Sequence, residues 1–149
     1  MSGVAGSAKV MAVRIFGSDN GSQRTVREGI TVIVEGFNFV IQQKRRGVKL
    51  RVASNSWSSV TKSAALDDAL RILEEEGVLL VFSAGNDAVS NDENWSTVVS
   101  DDYANVIVVA ATDQIDVRPN FSNWGQSGVD LAAPGVNVPT LRTNRSYIT

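Results

Sequence analysis

The sequence predicts an α/β protein built on a mostly parallel sheet, and three observations carry that expectation. Short runs with strand character recur at Lys9 to Phe16, Val48 to Ala53, Val78 to Ala84, Val106 to Ala111 and Val129 to Ala133. The first three are separated by stretches of helical periodicity, and strand, helix, strand, helix, strand is how parallel neighbours are joined by right-handed crossovers. The run Val78 to Phe82 is apolar without alternation, as suits a strand covered on both faces, and it stops abruptly at Ser83, Ala84 and Gly85. With 149 residues, 43% of them apolar, the chain has the size and the core material of one domain, and it shows no internal repeat or boundary.

Taken in order, Lys9 to Phe16 is followed by a polar surface loop, Gly17-Ser18-Asp19-Asn20-Gly21-Ser22. Val26, Ile30, Ile33, Phe37 and Val40/Ile41 then recur at spacings of three and four. They define one face of a helix despite the β-branched cluster Thr31 to Val34, and the helix ends at Gly47. The basic cluster Lys44-Arg45-Arg46 just before Gly47 complements the dipole at that helix end. After the strand Val48 to Ala53 and the polar Ser54-Asn55-Ser56-Trp57-Ser58-Ser59, Ser63 caps a second helix. Leu66, Leu70 and Leu73 form its buried stripe, Asp67 and Asp68 sit in its first turn, and Gly77 stops it. Glu74 to Glu76 oppose the dipole and are expected to remain solvated.

Composition excludes several functions. Fourteen basic against sixteen acidic residues, a net charge of −2 and no long block of either sign argue against nucleic acid as a partner. No apolar run approaches the roughly 20 residues needed to cross a bilayer, so no membrane association is expected. With no cysteine there is no disulfide, thiolate nucleophile or sulfur-based zinc site, and redox chemistry leaves the compartment open. Asn-x-Ser triplets at Asn20, Asn94, Asn120 and Asn144 are weak evidence for secretion. The chain contains no histidine, so it cannot supply an imidazole base.

In an open parallel sheet a ligand sits beyond the carboxyl ends of the strands. Two of those ends carry distinctive residues: Ser56-Trp57-Ser58 after the second strand, and Ser83 to Asn86 after the third. Together they would flank a groove for an extended peptide, with Trp57 walling a side-chain pocket and Asn86 donating to a ligand oxygen. Residue types alone favour the plainer reading, with Trp57 as a packing aromatic and Asn86-Asp87 as a turn.

The order of the pieces adds to this. Gly3-Val4-Ala5-Gly6-Ser7-Ala8-Lys9-Val10-Met11-Ala12-Val13, Ser54-Asn55-Ser56-Trp57, Ser83-Ala84-Gly85-Asn86-Asp87, Ala110-Ala111-Thr112-Asp113, Arg118, Phe121-Ser122-Asn123-Trp124-Gly125 and Ala132-Ala133-Pro134-Gly135-Val136 follow one another at the spacing of the subtilisin-like serine proteases. The chain resembles that family over nearly its whole length. The resemblance implies a three-layer α/β/α subtilisin-like fold, here incomplete, and hydrolysis of peptide bonds with no cofactor. Asn86 would donate to the oxyanion, Ser56, Trp57 and Ser58 would hold the substrate backbone, and Ser83, Ala84 and Gly85 would border the pocket before the scissile bond.

Departures from the family pattern set further expectations. The family's triad runs Asp, His, Ser, with the oxyanion asparagine between the last two. The matching stretch here begins after the histidine motif and stops before the serine motif, so this polypeptide alone is expected to be inactive. Ser58 and Ser59 stand where glycine is usual, and Ser96 to Asp102 lack a Tyr-Pro pair, which leaves peptide register and primary specificity open. Asp130 resembles an acidic residue near a weak cation site, but one carboxylate falls short of the roughly six to eight oxygens calcium requires, and no metal is assigned. In the family the aspartate-bearing strand lies between those matching Lys9 to Phe16 and Val48 to Ala53. Without it, two strand edges are exposed, and the chain is expected to rearrange, close the gap or form a homo-oligomer there. A catalytically dead, protease-like peptide-binding module is the alternative. A nucleotide-binding domain lacks support because Gly17 to Gly21 matches no phosphate-loop pattern.

Overall fold

In a computed structural model the chain is described over residues 5–15, 26–57, 63–93, 103–141 and 147–148. Gly17 to Gly21, Ser58, Ser59 and Ser96 to Asp102, together with Asn20, Asn94 and Asn144 of the Asn-x-Ser triplets, lie outside the described residues. The elements run α1 (Val26–Arg45), β1 (Val52–Asn55), α2 (Ala64–Glu75), β2 (Leu79–Ser83), β3 (Val106–Thr112), β4 (Leu131–Pro134), β5 (Thr140–Leu141) and β6 (Tyr147–Ile148). The first four strands form one sheet in the order β1-β2-β3-β4, every neighbour pair parallel, and β5 and β6 form a separate antiparallel pair. The expected parallel α/β architecture is therefore present.

Helix α1 buries Ile33, Phe37, Val40 and Ile41, the three- and four-residue spacing that the sequence shows. The hydroxyl of Ser63 accepts the Leu66 amide at 3.2 Å and starts α2, which buries Leu66, Ala69, Leu70 and Leu73. Both helices close in the same way. The amide of the residue after the terminal glycine reaches back five residues, Val48 to the Gln43 carbonyl at 3.1 Å and Val78 to the Leu73 carbonyl at 2.9 Å. The helices contact each other and share one apolar cluster with alternate residues of the strands, Leu80 and Phe82 of β2 and Val106, Val108 and Ala110 of β3. No helix among the described residues is long and apolar enough to cross a membrane.

Three expectations need correction. Lys9 to Phe16 was expected as a strand, but the described residues of that stretch form none. Met11, Val13 and Ile15 are half-buried against the core while Val10, Ala12 and Arg14 are exposed, so the alternation is present. Among the described residues no strand lies beside this stretch to complete a hydrogen-bonded ladder, and β1 is the edge of the described sheet. The second strand begins at Val52 rather than Val48, because Val48 to Leu50 turn out of the helix: the Leu50 amide donates to the Val48 carbonyl at 2.8 Å and Lys44 Nζ to the Leu50 carbonyl at 2.9 Å. Finally, the acidic end of α2 is not merely solvated. Glu76 pairs with Arg45 at 2.7 Å, linking the carboxyl ends of the two helices, and Glu74 accepts the Ala104 amide at 3.1 Å.

Candidate functional site

Parallel pairing of β1 with β2 puts Asn55 opposite Phe82, so Ser56-Trp57 and Ser83 to Asn86 leave the sheet side by side at its carboxyl edge. Ser56 is exposed and Ser83 half-buried. Trp57 is half-buried. Its ring meets Phe82 edge-on at 5.2 Å and Phe37 at 6.1 Å, anchoring the exit of β1 to α1 and β2. Ser58 lies outside the described residues. Ala84 is buried in the apolar cluster, and Gly85 is buried beside it.

Asn86 is exposed at the crest of the bend that follows β2. Its flanks are not free. The Ala84 amide continues the ladder to the Val109 carbonyl at 2.8 Å, and the Ala84 carbonyl accepts two side-chain amides, from Asn91 at 2.9 Å and Asn123 at 3.0 Å. Beyond Asn86, the amides of Asp87 and Val89 both donate to Asn123 Oδ1, at 2.9 and 3.2 Å. Ala88 between them adopts a left-handed conformation, φ 55°, a strained state for a residue with a Cβ.

Asn123 comes from a segment 36 positions further on than Asp87. It is delivered by a chain of local contacts. Asp113 Oδ1 accepts the Ile115 and Val117 amides, both at 2.9 Å, and turns the chain after β3. Arg118 stacks on the Trp124 ring at 4.4 Å and donates to the Ser122 carbonyl at 2.8 Å. Buried Ser122 accepts the Ala111 amide at 2.9 Å and donates to the Asn123 carbonyl at 3.0 Å. The two segments are then stitched along their backbones: Asn123 amide to Gly85 carbonyl at 3.0 Å, Ala88 to Phe121 at 3.0 Å, Trp124 to Val89 at 3.2 Å and Asn91 to Trp124 at 2.6 Å.

Two carboxylates near this region have structural partners. Asp92 gathers the amides of Gln126, Ser127 and Gly128 at 2.6, 2.9 and 2.8 Å, and these donors hold its carboxyl below its ordinary range. Asp130 accepts the Val108 amide at 2.7 Å. No group of three or more His, Asp or Glu side chains able to hold a metal forms among the described residues.

Asn86 is legible as a site residue from the sequence, whereas Asn91 and Asn123 are not. Asn123 lies in the Phe121 to Gly125 motif, yet nothing in periodicity or local turn chemistry indicates that its amide reaches the bend after β2. Chemically, the arrangement is an exposed amide donor on a turn whose adjoining backbone is fixed from inside the protein.

The profile of the Peptidase_S8 family, described as the Subtilase family, matches residues 1–149. Subtilisin BL from Lederbergia lenta is 34% identical over 145 residues, which make up 97% of this chain and 48% of that protein. Subtilisin-like protease 1 from Trichophyton rubrum is 35% identical over 144 residues, 95% of this chain and 26% of that protein. The chain thus spans at most about half the length of these curated relatives. Among solved structures, a cold adapted subtilisin-like serine proteinase superposes with a TM-score of 0.64 at 29% identity, over 88% of this chain and 43% of its own. The prenylagaramide maturation protease PagA, at 20% identity and a TM-score of 0.66 over 90% of this chain and 45% of its own, supports the fold alone.

Proposed function

Because the chain belongs to the subtilase family of subtilisin-like serine proteases, we propose that it forms the oxyanion-binding part of a serine endopeptidase, with Asn86 as the donor. The observation that carries this reading is the exposed amide of Asn86 at the carboxyl end of β2, on a turn fixed at both flanks. Attack of a nucleophile on a peptide carbonyl breaks the C=O π bond and leaves negative charge on oxygen. A donor already aimed at that oxygen stabilises the transition state without reorganising during the reaction.

The substrate, a peptide or protein, lies in this reading across the carboxyl ends of β1 and β2. Ser56, Trp57 and Ser58 hold its backbone, and Ser83, Ala84 and Gly85 border the pocket for the side chain before the scissile bond. The chain has no histidine, so the base that activates a nucleophile has to come from outside these 149 residues, and the chain by itself is inactive. The outer edge of β1, which pairs with no other strand among the described residues and has Val52 53% exposed, is proposed as a surface for pairing two copies of the chain.

The test is kinetic and uses the protein encoded by the complete reading frame. Asn86→Ala should lower kcat by about 100- to 1000-fold with little change in KM, a magnitude that comes from subtilisin itself rather than from this geometry. A KM that rises as much as kcat falls would refute the oxyanion role. Peptide binding without any cleavage in the complete protein would instead establish a catalytically dead binding module.

A further inference from the structure

We propose that Asn123 is the positioning residue for Asn86; the inference rests on Asn86 being the oxyanion donor. No contact joins the two side chains in the described hydrogen bonds. Asn123 acts through the backbone on both sides of Asn86. Its Nδ2 donates to the Ala84 carbonyl at 3.0 Å and to Asn91 Oδ1 at 3.1 Å, and its Oδ1 accepts the amides of Asp87 and Val89 at 2.9 and 3.2 Å. Its own amide holds the Gly85 carbonyl at 3.0 Å. One residue, 2% exposed, therefore ties Ala84 and Gly85 before the crest to Asp87 and Val89 after it.

The side-chain amide uses two donors and two acceptors, its full ordinary capacity. It can be satisfied in only one orientation. Rotating it by half a turn would set its NH₂ against two amide donors and its oxygen against two oxygen acceptors. The orientation is further imposed by Asn91, which is 6% exposed and gives its own Nδ2 to the same Ala84 carbonyl. The closeness of the clamp explains Gly85: a Cβ there would stand 2.5 Å from Asn123 Nδ2. A residue needed only to fill the volume would not require this donor and acceptor pattern. The pattern suits a residue that fixes the φ and ψ of its neighbours, and hence where the Asn86 amide points.

Hydrogen exchange on the 149-residue chain tests the clamp independently of activity. In Asn123→Ala the Asp87 and Val89 amides should exchange at least about tenfold faster, while the sheet amides of Leu80 and Val108 keep their rates. If the alanine chain does not fold, Asn123→Ser takes its place, with the same expectation of faster exchange. Unchanged exchange at Asp87 and Val89 in the variant lacking the amide overturns the proposal.

In the complete protein, Asn123→Ala should lower kcat about 10- to 100-fold with KM nearly constant. It should cause little further loss once Asn86 is already alanine, because the two substitutions remove one and the same function. An equal loss in both backgrounds would mean that Asn123 is merely structural. An Asn86→Ala variant with wild-type kcat, alongside loosened Asp87 and Val89 amides, would remove the oxyanion reading and leave the clamp standing.

Discussion

Replacing Gly85 by alanine puts two separable stresses on the turn after β2. Gly85 has φ 108°, beyond the left-handed well near 57° that L-residues can enter. Holding a Cβ-bearing residue there costs about 1 to 3 kcal/mol. The second stress is steric. The new Cβ would meet Asn123 Nδ2 at 2.5 Å and Cγ at 3.2 Å, the first contact 0.9 Å inside the 3.4 Å at which ordinary contact begins. Asn123 has no room to give, because its four side-chain hydrogen bonds already measure 2.9 to 3.2 Å. A displacement close to 1 Å breaks most of them, at about 1 kcal/mol each, so the steric part comes to about 2 to 4 kcal/mol.

Gly47 and Gly77 supply the controls. Both have positive φ, 92° and 66°, and a Cβ at either meets nothing within 4 Å, so alanine there reports the backbone cost alone. Urea unfolding of the three variants, followed by circular dichroism, separates the two contributions. Gly85→Ala should lose about 2 to 4 kcal/mol more than Gly47→Ala, a large share of the roughly 5 to 15 kcal/mol that holds a typical domain folded. If it loses no more than Gly47→Ala, within about 0.5 kcal/mol, then Asn123 is not packed against Gly85 and does not clamp the turn.

Asp92 sets a pH dependence. Its three amide donors depress its folded-state carboxyl below the unfolded value of about 3.9, so its stabilisation is fully present above that pH and fades as pH falls through the folded value. Thermal melts should show Asp92→Asn less stable than the parent chain at neutral pH, with the two converging in acid; a gap that stays constant down to about pH 2 would exclude the linkage. Pairing through the outer edge of β1 predicts a mass above the monomeric 16.0 kDa that grows with concentration in sedimentation equilibrium, and Val52→Lys should abolish the growth. A strictly monomeric parent chain would refute the pairing.

The parallel sheet and both helices were legible in the sequence because each is encoded by local physics. Ile33, Phe37, Val40 and Ile41 recur at the helical period, Ser63 offers a capping hydroxyl, and Gly47 and Gly77 terminate helices by adopting positive φ. Strand boundaries were less legible. Val48 to Leu50 have strand character but are drawn into the exit from α1, and the described residues of Lys9 to Phe16 alternate correctly without forming a strand. A strand requires a neighbour as well as a pattern, and a neighbour is a non-local property.

The exposed amide of Asn86 after an apolar strand could likewise be read directly, as could the absence of histidine, because both depend only on which residues are present and in what order. Tertiary structure decided how the Asn86 turn is held. Asn91 and Asn123 are short polar residues that local rules assign to turns. Their amides become structural because the fold lays residues 121–124 against residues 84–91 and removes the Asn91 and Asn123 side chains from water. A buried amide must find partners, and which ones it finds depends on the segments that folding brings within 3 Å, about which residue order alone is silent.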